Sequence, residues 1–388
     1  MSYKKYFKGF LNEGDEMKAK NILIAYPVHR AFMTPIKNLS TILGEFSEKG
    51  VVLITSNEDS GEQIRYGNIS HHITSKIYQN IFLRVFNFIM TEIKISFLLF
   101  KISKSDDTVI YFMQNFPILP MFLSKILKLH ILWMLPSSVT IDKWKSRSDP
   151  LAIIPVLFQN IGFHISDIII VYSPLLIKDW ALEKYSRKIK IAHEHFIDFS
   201  TFRMTRQLSE RANMIGYIGR MNFEKGFENF LDSIPPILES DNNMKILIVG
   251  DGPLKHMILK KISKAQMENN VIIKNWIPHD DLPSVYNNLK LLIIPSHTEG
   301  LPNVLLEAMA CGTPVLATPV GAIPDIIKDG ETGFIMKDNS PVCIAENIIR
   351  VIEYQNLEKI AINAKKMVEI EFTLESTVKQ WKRIFKET

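Results

Sequence analysis

Two stretches carry side chains whose types and spacing suit a charged, hydroxyl-bearing ligand. In HTEGLPNVLLEAMACGTPVLAT, residues 297–318, Glu299 stands in a loop directly before a helix predicted from Asn303 to Cys311. Pro302 suits the first helical position and Gly312 the position just past the end. The backbone N–H groups from Gly300 and Leu301 to Asn303 and Val304 then lack intrahelical partners. Unpaired donors at the positive end of a helix dipole form a phosphate site. Glu299 lies in the loop and Glu307 just past the first turn, so both can project toward one mouth. Carboxylates repel phosphate, and beside a phosphate site their work is to accept hydrogen bonds from sugar hydroxyls. The plainer alternative is a loop charge and a solvated helix residue.

The second stretch is GYIGRMNFEKGF, residues 216–227, in which a strand ends at a Gly followed by Arg220 and, five residues on, by Lys225. Arg offers a planar fork and Lys a point charge, a complementary pair for a diphosphate. Its alternative is a pair of surface cations balanced by Glu224 and Glu228. IVGDGP, residues 248–253, adds a tight Gly turn that is weak by itself.

The elements that must position these groups read as two α/β series. The strand NILIAYPV, a helical segment near Thr34–Lys49 and the strand VVLIT open the first, followed by TVIYFM (108–113), ILWML (131–135) and DIIIVYS (167–173). The second runs through MIGYIGR (214–220), MKILIVGDGP (244–253), VIIKNWI (271–277), LLIIPS (291–296) and TPVLAT (313–318). Short apolar runs bounded by Gly, Pro or Asn and alternating with helix-length segments build parallel, doubly wound sheets, whose ligands sit beyond the strand C-termini. A length of 388 residues suits two domains. The predicted boundaries are 1–200 and 201–371, with a polar linker near 195–211. The amphipathic segment 372–388, with Trp381 and Phe385 on one face, is read as a helix packing back on the first domain.

Composition narrows the classes. Hydrophobic residues make up 46% and charged residues 22%, a globular balance. Cys311 and Cys343 offer neither a disulfide framework nor zinc spacing, which suits a reducing, cytoplasmic setting. Residues 1–20 lack the pattern of a signal peptide. The most apolar stretch, Ile81–Phe100, is broken by Arg84, Glu92 and Lys94 and falls short of a membrane span. Its plain reading is a buried or half-buried helix, and its sharper reading is a face for peripheral contact with the inner membrane surface. Residues 1–200 hold 24 Lys and Arg against 18 Asp and Glu, and the remainder 22 against 23. The excess in the first half suits an anionic partner such as a phospholipid or lipid phosphate. No Lys/Arg stripe interleaved with aromatics points to nucleic acid.

From residue 214 to 335 the chain resembles the retaining glycosyltransferases of family 4, within the glycosyl transferases group 1. The motifs IGRMNFEKG, IVGDGP, IPHDDLPSVY, IPSHTEGLPNVLLEAMACGTPV and TPVGAIPDIIKDGETGF follow one another in the family's order and spacing. The resemblance implies the GT-B fold, two Rossmann-like domains facing each other across a cleft, the first for the acceptor and the second for a nucleotide-sugar donor. It implies that Arg220 and Lys225 hold the donor diphosphate, that Glu307 takes the ribose hydroxyls and that Glu299 contacts the donor sugar. The amides of Leu301–Val304 would join the phosphate site, and Trp276 and Ile277 would lie beside the base, with a core role the alternative for Trp276. Transfer would retain the anomeric configuration by front-face attack, without a protein nucleophile, a metal or another cofactor.

The first half departs from the family pattern. PVHRAFMTPIKNL lacks the usual Gly-rich turn, leaving His29 and Arg30 to take that phosphate contact or leaving it unmade, and no His stands at 132–138. Asn275 replaces a frequent Gly but tolerates a left-handed turn, and His193 and His195 read as structural. The expected function is a hexosyltransferase moving a sugar, UDP-linked by default, to a glycan or lipid-linked acceptor in cell-surface polysaccharide or glycoconjugate synthesis. The competing readings are a non-catalytic adaptor, a sugar phosphorylase and a nucleotide-sugar epimerase.

Overall fold

A computed structural model describes residues 21–25, 33–47, 50–55, 69–72, 80–112, 117–137 and 153–386. They divide into two compact units, each with its own parallel sheet. The first takes the described parts of Met1–Val171, Ala181–Glu194 and Thr377–Thr388, and the second takes Tyr172–Trp180 and His195–Ser376.

The first sheet contains β1 (Asn21–Ala25), β2 (Val51–Thr55), β3 (Ile69–His72), β4 (Thr108–Phe112), β5 (His130–Leu135), β6 (Ile168–Val171) and β7 (Ile189–Ile191), in the order β3-β2-β1-β4-β5-β6-β7. Its strands β1, β2 and β4 are buried along their whole length, as a parallel sheet covered on both faces requires. The helices here are α1 (Met33–Gly44), α2 (Ile81–Ile102), α3 (Ile118–Ile126) and α4 (Ile153–Ile165). The helix read over Ile81–Phe100 forms, but only Thr91, Glu92, Ile95 and Leu99 of α2 are buried. It is half-buried, not a core helix.

The second unit opens with α5 (Pro174–Asp179), and its sheet contains β8 (Met214–Ile218), β9 (Lys245–Val249), β10 (Val271–Lys274), β11 (Leu291–Ile294), β12 (Val315–Ala317) and β13 (Phe334–Ile335). The order is β10-β9-β8-β11-β12-β13. Helices α6 (Phe227–Ser240), α7 (Lys255–Lys264), α8 (Leu282–Tyr286), α9 (Asn303–Ala310), α10 (Ile323–Ile326), α11 (Pro341–Ile352) and α12 (Leu357–Glu371) surround it. Ile215, Phe227, Phe230, Ile234, Phe334 and Ile348 stand in one buried core. Strand order reverses between β8 and β11, and at such a point the two flanking loops part and leave a crevice beyond the strand ends.

Each apolar run read from the sequence forms a strand. The structure adds β3, β7 and β13, because ISHH, IKI and FI carry no apolar run long enough to register. The stretch 195–211 is not a free linker. Its Arg211 is buried and donates to the carbonyls of Tyr286, Leu289 and Cys311 and to Thr313 Oγ1. Burial lowers the Arg211 pKa to about 10. The polar character that suggests a linker belongs instead to side chains spent on buried backbone acceptors.

The last helix, α13 (Leu374–Lys386), leaves the second unit after Ser376. Trp381 is fully buried and donates through Nε1 to the His193 carbonyl at 2.8 Å, and Phe385 sits edge-on to Phe46 at 5.2 Å. His195 is buried and meets Tyr172 edge-on at 5.3 Å.

Candidate functional site

β8 ends at Ile218, and the chain passes through Gly219 and Arg220 into a short 3-10 turn, Phe223–Lys225. The Asn222 side chain caps that turn by accepting from the Lys225 amide at 3.1 Å. Gly226 follows at φ 62°, and a Cβ on it would lie 1.8 Å from the Pro295 carbonyl oxygen. Only Gly lets this loop close on the end of β11.

That closure brings Lys225 Nζ to both carboxylate oxygens of Glu299, at 2.6 and 2.7 Å. Glu299 is 7% exposed, and its Oε1 also accepts from Ser296 Oγ at 2.6 Å. Thr318 Oγ1 in turn donates to the Ser296 carbonyl at 2.6 Å. Behind the loop, Ala322 donates to the Gly300 carbonyl at 2.7 Å. A Cβ on Gly321 would meet the carbonyl oxygens of Glu299 and Gly300 at 2.4 Å. The Glu299 loop is therefore held from both sides.

A pocket opens at this point, lined by Gly219, Lys225, Ser296, Glu299, Asn303 and Val304 with Tyr217 behind them. It lies where strand order reverses, and α9 points its N-terminus into it. Pro302 occupies the N-cap position, one before the predicted one, because its ψ of 125° is extended, and no side chain caps the helix. The first bond of the turn is from the Leu305 amide to the Pro302 carbonyl. Asn303 and Val304, which line the pocket, accordingly stand at the positive end of the dipole with amides that no intrahelical carbonyl takes. Tyr217 donates to the Arg220 carbonyl at 2.6 Å, and burial beside Glu299 pushes its phenol well above the ordinary range, keeping it a neutral donor.

The structure thus brings Lys225, Glu299, Asn303 and Val304 to one pocket. Arg220 is exposed on the turn after β8, and Gly300 and Leu301 are buried in the loop leading to α9. Glu307 is not among the residues that line this pocket. Its Oε2 accepts from the Tyr286 hydroxyl at 2.7 Å, and its Oε1 lies 3.0 Å from His279 Nε2. It is therefore neither a solvated helix residue nor a free carboxylate. Trp276 is 74% exposed beyond β10, so the core alternative fails, and Ile277 beside it is half-buried. Neither lines the pocket. Asn275 accepts from Lys255 Nζ at 2.7 Å and does not adopt a left-handed backbone. His29 and Arg30 lie outside the described residues. Cys311, at the far end of α9, is buried with its thiol pushed up to about 12, which leaves it inert.

Four contributing residues escape the sequence reading. Ser296 and Tyr217 sit within the stretches singled out, but nothing in their spacing says which way they point. His279 and Tyr286 fall in IPHDDLPSVY, a segment recognised as a motif without a role for either residue. They reach Glu307 because α8 packs on α9.

Residues 198–367 match the family model described as glycosyl transferases group 1. Over 163 residues the chain is 35% identical to the capsular polysaccharide biosynthesis glycosyltransferase CapM of Staphylococcus aureus, covering 41% of this chain and 42% of that one. Over 179 residues it is 27% identical to the N-acetyl-alpha-D-glucosaminyl L-malate synthase of Bacillus anthracis, covering 46% of each. The chain spans about half the length of the curated relatives it matches. Among solved structures, Anabaena HepE in complex with UDP matches with a TM-score of 0.75 at 15% identity, over 95% of this chain and 100% of that one. Sucrose-phosphate synthase from Thermosynechococcus elongatus matches with a TM-score of 0.73 at 16% identity, over 95% and 99%. At such identity the likeness is one of fold, and the fold is GT-B with two Rossmann-like units.

Proposed function

We propose, from the match of residues 198–367 to the glycosyl transferases group 1 model, that this chain is a transferase of that group and moves a sugar from a nucleotide diphosphate donor to a glycan or lipid-linked acceptor with retention of configuration. The observation that carries this reading is the β8/β11 pocket, where a lysine, a buried carboxylate and a helix N-terminus converge. In the proposed complex the diphosphate takes hydrogen bonds from Lys225 and from the Asn303 and Val304 amides, with Arg220 on the adjacent turn adding a second cation. Glu299, released from Lys225, accepts from the sugar hydroxyls. Glu307, already oriented by Tyr286 and His279, takes the ribose hydroxyls, and the exposed Trp276 offers a face to the base beside Ile277.

The anomeric C–O bond to the leaving phosphate breaks while the acceptor oxygen bonds to the same face of that carbon. The acceptor's proton passes to an oxygen of the departing diphosphate. Lys225, Arg220 and the α9 amides stabilise the charge that grows on that group, the largest single contribution open to such a site. These groups supply the positive charge, so the reading assigns no metal. The similarity to a capsular polysaccharide transferase supports a place in cell-surface polysaccharide or glycoconjugate synthesis. Unpaired Cys311 and Cys343 suit a cytoplasmic setting, and no described helix is long and apolar enough to cross a membrane.

Calorimetry with a panel of nucleotide diphosphates and their sugars tests the donor site without an acceptor. UDP or one other diphosphate should bind selectively, and Lys225→Ala and Glu307→Ala should each weaken it by about 1–3 kcal/mol, the worth of a hydrogen bond to a charged group. Chelation with EDTA should leave the affinity unchanged. Folded protein that binds no member of the panel would overturn the transferase reading in favour of a non-catalytic adaptor.

A further inference from the structure

Helix α2 turns an apolar stripe toward water. Phe82, Phe86, Ile89, Ile93, Phe97 and Phe100 recur at spacings of 4, 3, 4, 4 and 3, which puts them on one side of a 3.6-residue helix. That side is the solvent side, with Phe82 80% exposed and Phe97 and Phe100 each 66%. The opposite side carries Thr91, Glu92, Ile95 and Leu99 into the unit. An ordinary surface helix has one apolar stripe and buries it, whereas α2 has two and buries one. The neighbouring α3, which packs on α2, leaves Phe122 43% and Ile126 76% exposed as well. Exposed apolar surface of this extent marks an interaction site.

Charge decides what covers it. Lys94 and Lys101 are exposed on α2, about a quarter turn from the stripe, with Lys104 just beyond its end. The only acid of the helix, Glu92, is buried on the inward side, where Oε2 accepts from the Leu119 amide at 2.9 Å. The outward face therefore combines aromatic and aliphatic bulk with flanking cations and no carboxylate. A second copy docked on this stripe would set lysines against lysines, without acids to pair them. An anionic lipid surface instead takes the ring side chains between its acyl chains and pairs its phosphates with the lysines, whose stems reach outward along the apolar face. We propose that α2 is a membrane-surface helix that lays its outward stripe into the interface of an anionic bilayer. Its length of about 33 Å then lies parallel to the membrane plane. This inference stands independently of the donor site.

Sedimentation of the full-length protein with vesicles tests it, using phosphatidylcholine alone and phosphatidylcholine with one-third phosphatidylglycerol. The protein should partition into the anionic vesicles about tenfold more strongly than into neutral ones at low salt, and high salt should shrink that difference. The Phe86→Ser/Phe97→Ser double variant should lose binding to both by about tenfold or more. Lys94→Glu/Lys101→Glu should abolish the preference for anionic lipid alone. All four side chains face solvent, so the melting temperature and nucleotide binding should be unchanged, which separates this test from that of the donor site. In Phe97→Trp, the indole emission added over wild type should shift to the blue only when anionic vesicles are added. Three outcomes would overturn the proposal. One is a wild type that ignores anionic vesicles. Another is a dimer that Phe86→Ser/Phe97→Ser dissociates, which would assign the stripe to a second copy. The third is that the emission Phe97→Trp adds over wild type is already blue-shifted in vesicle-free monomer, which would mean that the chain's own residues cover the face.

Discussion

Lys225 and Glu299 neutralise each other across 2.6 Å in a site where Glu299 is almost wholly buried. In the proposed complex the donor diphosphate must compete with that carboxylate for the lysine. Glu299→Gln keeps an acceptor for Ser296 and removes the competitor, so UDP should bind as well or more tightly in calorimetry. Sugar transfer should meanwhile fall by about a hundredfold, the scale of a lost charge-stabilising contact in a transition state. Tyr286 is the other residue with a separable effect. It is fully buried, and that burial, with Glu307 beside it, raises its phenol well above the ordinary range, so it remains a donor. Tyr286→Phe leaves Glu307 Oε2 without its short partner at 2.7 Å and should cost about 1–3 kcal/mol in urea unfolding. Glu299 and Lys225 could be singled out in the sequence because charged residues beside Gly and Pro punctuation are conspicuous, and Glu307 because it follows Glu299 by eight residues on the helix that Pro302 and Gly312 bound. Tyr286 and Ser296 could not, since a Tyr after LPSV and a Ser after IIP read equally well as core or loop until their hydroxyls are aimed.

At the scale of elements, the joint between α2 and α3 carries a titration. Glu92 caps the start of α3 through the Leu119 amide, and burial raises its pKa to about 7 despite that bond. The folded pKa lies above the unfolded one, so the folded state binds the proton more tightly. Stability associated with Glu92 is therefore full below about pH 4.5, falls as pH rises through 7 and stays flat above it. The difference is at most about 3 kcal/mol. Glu92→Gln keeps an acceptor for Leu119 without the charge. Denaturation at pH 8 should show the variant more stable than wild type by about 1–3 kcal/mol, with the gap closing by pH 5. The helical period and the interrupting Glu92 and Lys94 were legible in the sequence. Which of the two apolar stripes faces inward was not, because both satisfy the same spacing and only packing against other elements, α3 among them, selects one. The α9 boundary shows a smaller slip of the same kind. Pro302 suits both the N-cap and the first helical position by its φ, and its ψ, set by the loop that carries Glu299, decides between them.

Across the whole molecule, two parallel sheets each reverse strand order at their centre, and α13 returns the end of the chain to the first unit. Trp381 anchors that return through the His193 carbonyl. Trp381→Ala should cost about 3–5 kcal/mol in thermal unfolding through the cavity it leaves. UDP affinity measured well below the transition should not change, because the β8/β11 pocket lies in the second unit. Taken alone, the sequence determined the class of the fold, since short Ile/Val/Leu runs alternating with helical segments pack only as sheets covered on both faces. It also determined that Arg220, Lys225 and Glu299 stand at strand or helix ends, because Gly and Pro fix those ends locally. Tertiary structure alone decided that Lys225 pairs with Glu299 and that Glu307 is held by Tyr286 and His279. It alone made Arg211 a buried brace and turned the second stripe of α2 toward water. Each of these depends on which elements become neighbours, and that follows from strand order and helix packing, which no local spacing encodes.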